Sequence, residues 1–333
     1  MNPFAVSAEY FPTALQQAVM FEKYSRFRHD LGRREAWVEV VDRSVDFLRE
    51  LSRNQLDPED YDDIRQSILR LETMPSMRLL AMAGDAARRN HVSLYNCSAV
   101  ALSSIDALTE VMLLSMNGVG VGYSVERCHV EKLPTVAHQT GKVTTVLVMD
   151  STEGWVNALR EALDAWWSGI EVRLDTSLVR PAGAILYTKG GRASGPEPLR
   201  EAMAHIRDII LWRQGRKLRP IDVHDIACWI ASASISGGVR RSALIALFDV
   251  DDQEMLNAKA GAFWEHNPQR MYANNSAVLT DDVPDAVMLA LLRQMDANGT
   301  GEPGLVNRDG MRRHRPVRRA DYPFLTNPLT VAA

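Results

Sequence analysis

The sequence predicts an α/β fold in two parts: a helical region over residues 1–90, then an α/β region over 91–333. Three observations carry this. Apolar residues recur at three- and four-residue spacing through most of the stretch from Thr13 to Ala83. From about His91 short β-rich runs alternate with helical ones, the pattern of βα units and a parallel sheet. The composition, 46% apolar and 24% charged over 333 residues, is that of an ordinary soluble globular protein with room for one large domain and a smaller one.

In the first part, Trp37, Val40, Val41, Val45, Phe47, Leu48 and Leu51 lie on one stripe, with Glu39, Asp42, Arg43 and Glu50 between them. That is an amphipathic helix. Asp57-Pro58-Glu59-Asp60 reads as a turn and helix start. In the second part, Val92–Leu102 is a strand candidate and Ile105–Met116 a helix. Gly120–Val125 and Val143–Met149 read as strands, Gly154–Trp167 as a helix, and Ala184–Tyr187 as a short strand. Leu199–Trp212 and His224–Ile235 read as helices, Ser242–Phe248 and Asn275–Leu279 as strands, and Pro284–Asp296 as a helix. The sequence shows neither internal repeats nor low-complexity segments, and pattern alone does not separate a barrel from an open sheet.

Asp plus Glu total 42 against 38 Lys plus Arg, a net charge of −4, which argues against general nucleic-acid binding. The locally basic run Arg308–Arg319 reads as a solvated loop. No stretch approaches the roughly 18 consecutive apolar residues of a membrane span, and Met1–Val19 lacks the basic start and apolar core of a signal peptide. Three cysteines do not make a disulfide scaffold, so the expected setting is reducing and cytoplasmic. Without a Cys-x-x-Cys pair or a His cluster, no metal site is expected.

Three segments in fixed order say more: Leu94-Tyr95-Asn96-Cys97-Ser98, then Arg180-Pro181-Ala182-Gly183 running into Lys189-Gly190-Gly191-Arg192-Ala193-Ser194-Gly195-Pro196, then Ser236-Gly237-Gly238-Val239-Arg240-Arg241-Ser242-Ala243. Together they resemble the adenosylcobalamin-dependent (class II) ribonucleotide reductases, most closely the monomeric ribonucleoside-triphosphate type. Segments from Tyr24-Ser25-Arg26 to Asn327-Pro328 line up in order. The resemblance implies a helical N-terminal layer and about the first half of a ten-stranded α/β barrel. It also implies a reaction in which a thiyl radical takes the ribose 3′-hydrogen, a thiol pair becomes a disulfide, a carboxylate handles the 3′-hydroxyl proton and an amide holds the sugar. Adenosylcobalamin supplies the first radical there.

Residue by residue, the resemblance makes Cys97 one member of the reducing thiol pair and Asn327 the sugar-holding amide. By character alone Cys97 would read as a small buried hydrophobe. Pro75-Ser76-Met77-Arg78 looks like a segment lining the substrate pocket, so Ser76, Arg78 and Asn96 are substrate-binding candidates. Val148–Trp155 looks like a first effector-specificity loop, with Asp150 on the deoxyribose of an allosteric deoxynucleotide. Asp150 or Ser151 also reads as a helix N-cap. Ser236–Ser242 looks like the second such loop. Gly237, Gly238, Arg240 and Arg241 are its candidates, the guanidinium forks suiting phosphates and bases. Ser151, Arg180 and Lys189 complete the effector set.

The sequence departs from the family after Pro328. Leu329 stands where the radical Cys is written, and Val331 where the carboxylate is. The expectation is therefore a chain inactive alone that works with a C-terminal half, a ribonucleoside triphosphate, a deoxynucleotide effector and a thioredoxin-like reductant. A split gene, an intein boundary or a frameshift would explain the break. The alternatives are a nucleotide-binding remnant or regulator without catalysis, and a mutase. The latter rests on Asp222-Val223-His224-Asp225-Ile226-Ala227, a near-match to a cobalamin-ligating signature that otherwise reads as a helix start capped by Asp222. Cys128 reads as an incidental strand residue and Cys228 as helix core. Neither Gly118-Val119-Gly120-Val121-Gly122 nor Gly190–Gly195 is a nucleotide fingerprint: the first precedes a strand instead of following one, and the second ends in Pro196.

Overall fold

The computed structural model describes residues 2–186, 192–236, 243–319 and 325–327. Two compact units emerge: Met1–Asn96 with Ile185–Gly191, and Cys97–Ala184 with Arg192–Ala333.

The first unit is helical. Helix α1 (Trp37–Leu51) buries Trp37, Val40, Val41, Val45 and Phe47 of the stripe expected for it, leaves Leu48 half-buried and Leu51 exposed at its C-terminal end, and packs against α2 (Pro58–Leu69). Trp37, Val40, Val41 and Val45 close on Met20, Phe21, Tyr61, Ile68, Leu69 and Leu80. Each such side chain contributes about 1.5–3 kcal/mol when taken out of water. The Trp37 indole N–H donates to the Leu69 carbonyl at 3.2 Å, so its polar atom is satisfied inside the core. A buried ion pair centres the unit. Arg43 donates through Nε and Nη2 to the two oxygens of Glu35, both at 2.9 Å, and reaches the carbonyls of Tyr24, Leu80 and Ala83.

The second unit is built on five parallel strands: β1 (Cys97–Ala101), β2 (Gly120–Ser124), β5 (Leu244–Asp249), β6 (Ala273–Leu279) and β7 (Gly304–Asn307), in the order β1-β2-β5-β6-β7. Helix α3 (Ile105–Met116) makes the β1-to-β2 crossover and α7 (Asp285–Asn298) the β6-to-β7 crossover. Between β2 and β5 the chain makes a separate parallel pair, β3 (Val143–Leu147) with β4 (Glu171–Asp175), joined by α4 (Thr152–Trp167). It then forms α5 (Glu197–Trp212) and α6 (Pro220–Ser236). Helix α6 packs on α3, α5 and β5 and is buried along nearly its whole length. The helices thus cover the sheet face carrying Val121, Tyr123, Leu244, Ala246 and Phe248.

Several boundaries differ from the sequence reading. The run 92–102 is not one strand: His91–Leu94 is a 3₁₀ turn capped by Asn90, and the strand starts at Cys97. Strand β2 ends at Ser124, and Cys128 lies in the short helix Arg127–Val130, not on a strand, because the Ser124 hydroxyl accepts the Glu126 N–H and turns the chain. Helix α6 begins at Pro220, so Asp222 sits inside the first turn and accepts the Arg219 N–H at 2.8 Å instead of occupying the cap. Of Ala184–Tyr187 only Ile185 makes a bridge, and Tyr187 lies outside the described residues. Strands β4 and β7 were not anticipated at all. Among the described residues no helix is long and apolar enough to cross a membrane.

Candidate functional site

On β1 and β2 the sheet face opposite the helices is lined by small residues. Alternation along each strand puts Cys97, Ala99 and Ala101 of β1 on it, beside Gly120, Gly122 and Ser124 of β2. Cys97 pairs with Gly120 and Ala99 with Gly122. Onto this face comes the segment 325–327. A Cβ at Gly122 would overlap the Thr326 carbonyl and lie 2.9 Å from the Asn327 Cα, so only glycine fits there. Leu325 packs with Leu247, Val278 and Val306 on the same face. The structure therefore brings Cys97 and Asn327, the two catalytic candidates, to one side of neighbouring strands. From Gly122, the Cys97 Cα lies one strand over and two residues back, about 8 Å away. Both residues are half-buried, and Cys97 is not in a disulfide. The Thr326 hydroxyl is buried there without a hydrogen-bond partner among the described residues.

At the C-terminal ends of the strands sits a polar network that sequence reading missed. Arg308, just past β7, donates two 2.6 Å hydrogen bonds to the Glu126 carboxylate, just past β2. Ser124 donates to the same carboxylate at 2.7 Å, and the His129 Nδ1 lies 2.8 Å from the Ser124 hydroxyl oxygen. In a flat sheet β2 and β7 would stand about 14 Å apart, so this pair draws the strand ends together across the small-residue face. Burial pushes the Glu126 pKa up, but hydrogen bonds from Arg308 and Ser124 outweigh it and hold it below the usual carboxylate value. Burial, with Glu126 opposing, lowers His129. The sequence signal was an acid just after a glycine-rich strand and an arginine just after another, too generic to single out.

Three effector candidates also meet. The Arg180 Nε donates to Asp150 Oδ2 at 2.6 Å, and Ser151 caps α4 by accepting the Gly154 N–H at 2.9 Å. Asp150 and Ser151 follow β3 at the mouth of a β-α-β unit, where α/β proteins present ligands. Lys189, Gly237, Gly238, Arg240 and Arg241 lie outside the described residues. The substrate candidates belong to the first unit. Ser76 caps the helix Met77–Met82, and the Arg78 Nε donates to Asn96 Oδ1 at 3.0 Å.

His224 does not fit as a cobalt ligand. It is fully buried, its Nδ1 lies 2.8 Å from the Tyr123 hydroxyl and its Nε2 is 3.8 Å from the Cys228 sulfur. Burial lowers its pKa to about 4 and pushes the Cys228 thiol up to about 12. The near-match at Asp222–Ala227 is thus helix core, which removes the ground for the mutase alternative. Among the described residues no three His, Cys, Asp or Glu side chains group as a metal site.

Residues 116–210, from the end of α3 through most of α5, match the family model of the insertion domain of B12-dependent ribonucleotide reductase. The adenosylcobalamin-dependent ribonucleoside-triphosphate reductase of Lactobacillus helveticus (strain DPC 4571) is 28% identical over 365 residues, covering 86% of this chain and 47% of the relative. That of Euglena gracilis is 28% identical over 79% of this chain and 39% of its own length. A crystal structure of a B12-dependent (class II) ribonucleotide reductase superposes with a TM-score of 0.71 at 23% identity, over 87% of this chain and 48% of that one. The chain spans about half the length of the relatives it matches. In sequence and in fold, over most of its length, this chain is similar to the adenosylcobalamin-dependent, class II ribonucleotide reductases.

Proposed function

We propose that this chain is the N-terminal portion of a cytoplasmic ribonucleoside-triphosphate reductase, forming about half of its α/β barrel. It would supply one reducing thiol, the sugar-holding amide and the effector-binding loops. The observation that carries the reading is the seating of Thr326 and Asn327 across Gly122, on the face that also holds Cys97. Cys97 and a second thiol from a C-terminal half together give up two electrons and two protons and become a disulfide, while the substrate 2′-hydroxyl leaves as water and a hydrogen takes its place. The Asn327 amide holds the sugar. Asp150, oriented by Arg180, takes the 3′-hydroxyl of a deoxynucleotide effector. Adenosylcobalamin supplies the initial radical in the complete enzyme, and a thioredoxin-like protein reduces the disulfide afterwards.

Leu329 and Val331 favour a second reading, nucleotide binding without turnover, since neither side chain can carry the radical or move the proton. Both readings require nucleotide binding. Calorimetric titration of the 333-residue chain with each deoxynucleoside triphosphate is expected to show binding that weakens at least tenfold in Asp150→Asn and in Arg180→Met. Absence of binding, or binding indifferent to both substitutions, overturns both readings. Turnover on adding a C-terminal half of a class II reductase, adenosylcobalamin and a dithiol separates the first from the second.

A further inference from the structure

Near the N-terminal ends of β6 and β7 the second unit holds a small cavity that none of the roles above uses. Met255 of the short helix Gln253–Leu256 lines it, with Lys259 just beyond that helix. Asn275 of β6, Asn298 at the end of α7 and Glu302 in the turn before β7 complete the polar lining. The cavity offers the centre of a water molecule about 10 Å³, room for one and for no larger ligand.

Two acceptors on the lining residues have no donor among the described residues. Asn275 is 3% exposed, and its Oδ1 is buried without a hydrogen-bond partner there; Glu302 Oε2 is in the same position. A third group has a donor to spare. The Lys259 ammonium carries three N–H groups. It gives one to the Ala273 carbonyl at 2.5 Å and one to Glu302 Oε1 at 2.8 Å, and the third has no hydrogen-bond acceptor among the described residues. The Phe263 ring centroid, 5.9 Å from Nζ, lies at the limit of a cation–π contact.

We propose that this cavity binds one ordered water molecule, which donates to Asn275 Oδ1 and Glu302 Oε2 and accepts the third N–H of Lys259. Donors and acceptors then balance: two hydrogens meet two oxygens, and a lone pair meets the ammonium. Three hydrogen bonds is the usual number for a buried water. A monovalent cation fits less well. Lys259 already neutralises Glu302, so a second positive charge would stand close to the first, and a cation offers no acceptor to the spare N–H. Asn275 pairs with Ala246, so the bridge joins β6 to the turn before β7 on the helix-covered face of the sheet. The site is independent of the nucleotide reading given above.

The test uses the 333-residue chain. Crystals grown in rubidium chloride should show one density peak within about 3.2 Å of Asn275 Oδ1, Glu302 Oε2 and Lys259 Nζ, without anomalous signal at the rubidium edge. In solution, oxygen-17 magnetic relaxation dispersion should count one long-lived water fewer in Asn275→Leu than in the native chain. The branched leucine side chain removes one acceptor and takes up the water's space. Should Asn275→Leu not fold, the native crystal decides. An empty position, a rubidium peak, or a water count that Asn275→Leu leaves unchanged overturns the proposal.

Discussion

At position 122 the absence of one methyl group decides whether the chain can return across its own sheet. The Thr326 carbonyl occupies the space where a Cβ would stand. Gly122→Ala must push the 325–327 segment off the face or strain the strand, an overpacking cost of about 1–3 kcal/mol. A urea midpoint unchanged from native would contradict this placement. His224 gives a second residue-scale prediction. Its folded pKa of about 4 lies below the free imidazole value of about 6.5, because burial disfavours the charged form. The unfolded chain therefore binds a proton that the folded chain refuses. The stability in question is fully present above about pH 6.5 and is lost as the pH falls toward 4, on the order of 3 kcal/mol in all. Urea unfolding between pH 7 and pH 4 should show this slope, and His224→Gln should flatten it. An equal slope in the variant would assign it to other groups.

At the scale of elements, the long amphipathic pieces were legible and the short polar ones were not. The helices Trp37–Leu51 and Ile105–Met116 follow directly from apolar spacing, because each must bury one stripe. Strand β4, Glu171-Val172-Arg173-Leu174-Asp175, is charged at both ends and the middle, so it shows no apolar run, and no residue of it is fully buried. Strand β7 is four residues long and starts at a glycine just after a Gly- and Pro-rich turn. The turn at Ser124 hid the helix carrying Cys128, since a side-chain hydroxyl and not the backbone pattern ends the strand. At the site, Cys97 and Asn327 could be named from the motifs around them. That they share a face could not, because strand register and the path of segment 325–327 are set by contacts far apart in sequence. The Glu126–Arg308 pair is of that kind, 182 positions apart. Arg308→Met leaves a buried carboxylate unpaired and should cost about 3–5 kcal/mol, whereas Glu126→Gln with Arg308→Met should recover a large part of it. A single substitution costing under about 1 kcal/mol in chemical denaturation would show the pair to be a surface contact.

On the scale of the whole molecule, the candidate residues fall in two compact units. The first carries the substrate-loop candidates, and the second carries the sheet, the β-α-β segment that matches the insertion-domain model, and Cys97. Strands β1 and β2 of the second unit leave this sheet face to small residues, with Ala99, at the centre of β1, exposed on it. Parallel sheets are ordinarily covered on both faces, so the small-residue part of this face on β1 and β2, beside the returning segment 325–327, is the place proposed to seat a ligand, while Leu247, Val278 and Val306 close the rest with Leu325. The assignment to nucleotide chemistry stands or falls on whether Cys97 looks into that place. Iodoacetamide labelling in a Cys128→Ser background reads Cys97 directly, because Cys228 is fully buried with its thiol pushed up to about 12. Saturating ribonucleoside triphosphate is predicted to slow Cys97 labelling at least fivefold. A labelling rate that no nucleotide changes, under conditions where binding is measured independently, would contradict the account.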